Sequence, residues 1–265
     1  MMRLAATAII AALALTACSS SEPAGGSAPQ HRDVKSLVAA VEKSVAEKGA
    51  YRFTIAPPAT GGGVRYPSNG TVRLGGEVPG MDATTTRPVR SGGDAVELRL
   101  VSTAKDAAFV KLPAALFGLP AEKPWVRLDR RVDDDFTTTL LGFHDVVFQQ
   151  AAFTTYHLPV MKAGGELELT AQIGGNTRYS LAVDYRKAYD ALTDEGLRTE
   201  LKLALDQQVA GSTGEIELDG AGLPVRIAFY TQFQGARIVD EARFSDWGTE
   251  AEITAPGPAE ISPRS

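Results

Sequence analysis

Apolar and polar residues alternate one by one in stretch after stretch of this chain, and that period of two restricts the fold more than any other feature. In ELELTAQI, Leu167, Leu169, Ala171 and Ile173 fall opposite Glu166, Glu168, Thr170 and Gln172, and RYSLAVDY repeats the pattern through Tyr179, Leu181, Val183 and Tyr185. YRFTIA does so with Tyr51, Phe53 and Ile55, TVRLGGEV with Val72, Leu74 and Val78, and VELRLVS with Val96, Leu98 and Leu100. GEIELD, LPVRIAFYTQF and RIVDEARFSDW follow, separated by Asp219-Gly220-Ala221-Gly222 and Gln234-Gly235, which read as hairpin turns. Successive side chains of a strand point to opposite faces, so these are half-buried strands with one apolar and one wet face. Spaced in this way they predict an antiparallel sheet of about nine to eleven strands.

A sheet with one apolar face needs a cover, and three segments switch to a helical period. Asp33 precedes Val34, Leu37, Val38, Val41 and Val45, spaced by three and four residues and ending at Gly49. Residues 133–150, DDDFTTTLLGFHDVVFQQ, place Phe136, Leu140, Leu141, Val147 and Phe148 on one stripe, and residues 193–209 do the same with Leu197, Leu201, Ala204 and Leu205. The expected class is α+β: a large antiparallel sheet over about three helices, in a single domain at 33–258 with a flexible tail at 259–265.

Before that domain the pattern is of another kind. Arg3, the apolar run Leu4 to Leu15 and the small pair Thr16-Ala17 lead to Cys18, the only cysteine. The run is too short to span a bilayer, for which roughly 20 residues are needed. Residues 1–17 therefore read as a signal peptide. Leu15-Thr16-Ala17-Cys18 has the form of a lipobox, making Cys18 the attachment point for a diacylglycerol and an N-acyl chain. Residues 18–32, SSSEPAGGSAPQHR after the cysteine, read as a disordered tether with a random-coil reach of about 20 Å. The chain is then exported and fastened to the outer face of the cell membrane, and its folded part has no disulfide.

Candidate chemistry is sparse. The net charge is −5, with Lys and Arg scattered, which gives nucleic-acid binding no support. His31, His144 and His157 stand apart without metal-ligand spacing, and no cofactor or metal is expected. No GxSxG elbow occurs, and Gly211-Ser212-Thr213-Gly214 reads as a turn into a strand beginning at Glu215. Asp133-Asp134-Asp135 reads as a helix N-terminus, where its dipole favours acids, and Gly61-Gly62-Gly63 and Gly92-Gly93 as loops. Nothing groups a nucleophile with a base, so an enzyme is not expected. AALFGLPAEKP, residues 114–124, crowds Leu116, Phe117 and Leu119 into a loop, the candidate mouth or lid of a cavity.

The order of several motifs resembles the LolA/LppX-like lipoproteins of bacterial, especially actinobacterial, envelopes. Lipobox, tether and first helix are followed by Ala108-Phe109-Val110-Lys111-Leu112-Pro113, then Lys123-Pro124-Trp125-Val126-Arg127-Leu128 leading to a helix. Gly174-Gly175-Asn176-Thr177-Arg178-Tyr179 enters a strand, Leu218 to Pro224 makes a hairpin, and Phe244-Ser245-Asp246-Trp247-Gly248 precedes Ile253-Thr254-Ala255-Pro256. The resemblance implies a half-barrel sheet over helices with an apolar space that accepts acyl chains, for lipid transport or presentation with an envelope transport partner. It transfers no catalytic motif and no individual ligand residue. The candidate lining is the inward set Phe53, Leu98, Leu100, Leu169, Leu181 and Phe229, which a filled core would show equally. A scaffolding or protein-interaction lipoprotein with such a filled core is the alternative.

Overall fold

A computed structural model of the chain describes residues 31–56, 67–75, 79–88, 95–104 and 107–263. Cys18, the signal segment, most of the tether, Val78 and both glycine runs lie outside the described residues. His31 does not: its ring lies 5.8 Å from that of Tyr179, so the end of the expected tether packs on the sheet.

Eleven strands form one open antiparallel sheet. They are β1 (Ala50–Ile55), β2 (Ser68–Arg73), β3 (Gly80–Pro88), β4 (Ala95–Ala104), β5 (Ala107–Lys111), β6 (Trp125–Leu128), β7 (Gly165–Ile173), β8 (Asn176–Asp184), β9 (Gly211–Leu218), β10 (Pro224–Phe233) and β11 (Ala236–Ser245). Their spatial order is β6-β5-β4-β3-β2-β1-β11-β10-β9-β8-β7. Two meanders thus meet where the first strand pairs with the last, with Phe53 opposite Phe244. Consecutive strands β6 and β7 end up at opposite edges, so the chain between them must cross the apolar face.

That crossing supplies the main helical layer. Helix α1 (Val34–Lys48) precedes the sheet, and the short α2 (Ala114–Phe117) interrupts β5 and β6. From β6, α3 (Asp135–Ala151) runs to the centre of the sheet, touching β6, β1 and β11. Then α4 (His157–Gly164) carries the chain on to β7 and β8. Helices α5 (Tyr185–Ala191) and α6 (Glu195–Asp206) follow β8.

The helix ends follow from local chemistry. Asp33 accepts a hydrogen bond from the Ser36 N–H, and Gly49 closes α1 at φ 74°. Val34, Leu37, Val38, Val41 and Val45 are all buried, as their spacing predicts. Asp134 caps α3 by accepting from the Thr137 N–H, which gives the acidic triplet its structural role.

Among the described residues six α-helices stand where about three are expected. RYSLAVDY ends as a strand at Asp184, whose carboxylate accepts from the Lys187 N–H and starts α5 at Tyr185. HLPVMKAG and AALF are too short to show a helical period in sequence.

The core lies between the layers. At its centre the Tyr51 hydroxyl donates to the Ala151 carbonyl at 2.9 Å, tying β1 to the end of α3. The rings of Phe153, Phe244 and Trp247 surround Tyr51, and the Trp247 indole donates to the Pro224 carbonyl. A second small cluster, Val101, Phe109, Trp125 and Ile253, lies on the outer face, with Ile261 packed on it. Ile261 pairs with Trp125, and the Ser262 N–H donates to the Trp125 carbonyl. Residues 259–263, expected to trail freely, therefore cover the β6 edge.

Candidate functional site

The sheet and helices do not close on each other everywhere. A cavity of about 360 Å³ remains between β9–β11 and the helices α3 and α4. Its floor follows from strand register: Ser212, Thr231 and Ile238 form one cross-strand row, and Gly214, Phe229 and Asp240 the next. Gly214 makes the second row possible, because a Cβ there would lie 2.9 Å from the Phe229 ring. Val146, Gln149 and Gln150 of α3, Tyr156, His157 and Val160 around α4, and Tyr185 of α5 complete the walls.

Polar atoms are set into these mainly apolar walls, and Gln150 Oε1 and Ser212 Oγ are buried there without a hydrogen-bond partner. The Gln150 amide is held from its other end, where Nε2 donates to Asp240 Oδ1 at 2.9 Å. Leaving a buried acceptor unsatisfied costs about 1–3 kcal/mol. The walls thus combine apolar surface with open hydrogen-bond acceptors.

A second cavity, again about 360 Å³, lies on the other side of α3 and shares Gln149 and Tyr156 with the first. Its lining is more polar than that of the first: Ser102 from β4, Arg130, His144 and Asp145 from the α3 region, and Asp194 and Glu200 around α6 join Ala108, Phe148 and Leu197. Arg130 grips Asp145 through two hydrogen bonds of 2.6 and 2.8 Å. Burial raises the Glu200 carboxyl above its ordinary value, and the charge of Asp145 adds to the effect. A carboxyl raised on folding opposes stability above its folded pKa and has no effect below its unfolded value near 4.5. Glu200→Gln, which keeps the acceptor for the Gln149 amide at 2.9 Å, should therefore stabilise the protein at pH 7. Denaturant melts should show the gain shrinking to nothing as pH falls below about 4.5.

The predicted lining separates under the structure. Phe229 lines the first cavity. Phe53, Leu98, Leu100 and Leu181 are buried within the continuous core and line neither cavity described above. Leu169 is corrected outright: it is 62% exposed. A bulge between Leu167 and Leu169 breaks the alternation of β7, turning Leu169 outward on an edge strand.

Leu116 is 59% exposed, Phe117 rests against Phe136 with ring centroids 6.2 Å apart, and Leu119 packs on the core. None of the three lines either cavity just described. Ser212, read as part of a turn, belongs to β9, which begins at Gly211. The fold also groups Ser102, His144 and Asp145, a nucleophile with a base, which their separation in sequence had hidden.

An open eleven-stranded antiparallel sheet, crossed on one face by helices that leave cavities against it, defines the class of this protein. Among solved structures its fold is similar to the Mycobacterium tuberculosis lipoprotein LppX, at 14% identity over 83% of this chain and 98% of that one, with a TM-score of 0.46. It is also similar to LprF from Mycobacterium bovis, at 11% identity over 85% and 96% of the two chains, with a TM-score of 0.44. No protein-family model and no curated protein matches the sequence.

Proposed function

We propose that this protein is a lipid-anchored envelope lipoprotein that takes the acyl chain of an amphiphile into the cavity under β9–β11, for lipid transport or presentation. The observation that carries the reading is the pairing of apolar walls with the two unpartnered acceptors Gln150 Oε1 and Ser212 Oγ. A volume of about 360 Å³ lies at the small end of ligand pockets. It has room for roughly a dozen groups of about 30 Å³ each. One chain fits there, with burial worth about 0.8 kcal/mol per CH₂. A hydroxyl or amide N–H on the ligand would satisfy the two acceptors.

No helix among the described residues is long and apolar enough to cross a membrane. Membrane attachment is assigned to acylated Cys18, on the lipobox alone.

Titration with a dansylated fatty acid tests the reading. Thr231→Trp, on the cavity floor, should weaken binding at least ~10-fold by removing buried methylenes. Thr213→Trp, on the opposite face of the sheet one strand away, should leave it unchanged. Equal affinity in both variants would count against this cavity as the binding site.

A further inference from the structure

Three side chains in the polar cavity have no part in the lipid-binding reading. Ser102 faces the helices from β4 and is 4% exposed, with its hydroxyl 2.5 Å from His144 Nε2. His144 is 3% exposed, and its other ring nitrogen, Nδ1, lies 3.1 Å from Asp145 Oδ1. Burial pushes the Asp145 carboxyl up, but hydrogen bonds from His144 and Arg130 outweigh it and hold the group below the usual carboxylate range. An ionised Asp145 accepts from the Nδ1–H, which leaves Nε2 as the acceptor for the Ser102 hydroxyl. Phe148 stacks on the imidazole at 5.8 Å and 15°, fixing its plane. Hydroxyl, imidazole and carboxylate are then connected in the order that activates a serine.

A polar contact that only tied α3 to β4 could be sealed in the core. Instead all three residues line a cavity that reaches solvent. A developing oxyanion needs hydrogen-bond donors, and two residues of this cavity carry them. Tyr156 is one lining residue and Gly196, in the first turn of α6, is another. Asp194 caps the Leu197 N–H, leaving the Gly196 amide among the open donors of that turn.

We propose that Ser102, His144 and Asp145 form a second site, which hydrolyses carboxylic esters of apolar acyl groups. Ser102 Oγ bonds to the ester carbonyl carbon as its proton passes to His144 Nε2. The ester C–O bond breaks, and the alcohol leaves with that proton. Water then adds to the acyl-serine and gives a proton to Nε2. The bond from the carbonyl carbon to Oγ breaks, Ser102 regains the proton, and the acid departs. Ser102 and His144 are the catalytic residues. Asp145, held by Arg130, is a positioning residue. The apolar acyl group rests on the lipid-binding reading, because the two cavities share Gln149 and Tyr156; the serine chemistry does not.

The test uses the purified chain with a decyl fluorophosphonate, followed by intact mass and peptide mapping. One adduct is expected, on Ser102. Hydrolysis of p-nitrophenyl decanoate should fall at least ~100-fold in Ser102→Ala and His144→Gln. In Asp145→Asn, kcat should fall with KM little changed, while Ser245→Ala keeps full activity. An unlabelled Ser102 in the wild type, or hydrolysis equal in wild type and Ser102→Ala, overturns the proposal. The labelling is read on the wild type, so a variant that fails to fold does not decide it. Lipid bound without labelling defeats the serine chemistry alone; labelling without bound lipid defeats the carrier reading alone.

Discussion

Phe153→Ala should remove about 3–5 kcal/mol of unfolding free energy, the range for truncating a fully buried aromatic side chain. Phe153 is 0% exposed and sits in the turn between α3 and α4. Its ring lies 4.6 Å from that of Phe244 and 5.9 Å from that of Tyr51, joining the helical crossing to the β1–β11 pair where the two meanders meet. The vacated space is walled by the sheet on one side and by the α3–α4 turn on the other, so little can collapse into it. Domains of ordinary stability have about 5–15 kcal/mol in total. Urea denaturation measures the loss, with Leu203→Ala as the comparison. Leu203 is 60% exposed, and its truncation should change stability by no more than about 0.5 kcal/mol. A loss below about 1 kcal/mol in Phe153→Ala would contradict the packing described.

Cys18→Ala should abolish lipid modification and free the exported protein from the membrane. One acyl chain gives only marginal attachment, whereas the diacylglycerol and N-acyl chains expected on Cys18 together exceed what stable anchoring requires. Metabolic labelling with an alkyne fatty acid, followed by detergent phase partition, reads both effects. Wild type should carry label and enter the detergent phase; Cys18→Ala should carry none and be recovered in the aqueous phase. Label retained in the variant would exclude the lipobox reading.

Much of the architecture is legible in the sequence because it rests on short-range rules. The five apolar positions of α1, its Asp33 cap and its Gly49 stop all lie within one segment, and each does what its spacing implies. The same holds for the Gln234-Gly235 turn, whose φ values of 49° and 78° suit a two-residue hairpin between Phe233 and Ala236. Alternation along β7 fails where one extra residue enters at the bulge, an event that period alone does not reveal.

The cavities depend on contacts distant in sequence. Gly211 and Gly214 resemble turn residues, yet both lie within β9. A Cβ on Gly211 would collide with the Val183 carbonyl oxygen, and one on Gly214 would meet the Phe229 ring. Their small size serves close approach within the sheet. Ser102 and His144 belong to different layers, and only the path of α3 across the sheet brings them together. Likewise, Phe229 and Leu181 are equally apolar and both face inward. Both belong to the buried core, and Phe229 also borders the cavity left between β9–β11 and the helices α3 and α4.

The central claim is that the space under β9–β11 holds an acyl chain. Native mass spectrometry of the exported domain purified from its own cells without added lipid, with solvent extraction of the same sample, tests it most directly. The account predicts a wild-type species heavier than the polypeptide by one amphiphile, released on extraction, and a bare polypeptide for Thr231→Trp. A wild-type mass equal to the polypeptide alone, with no lipid in the extract, would contradict it.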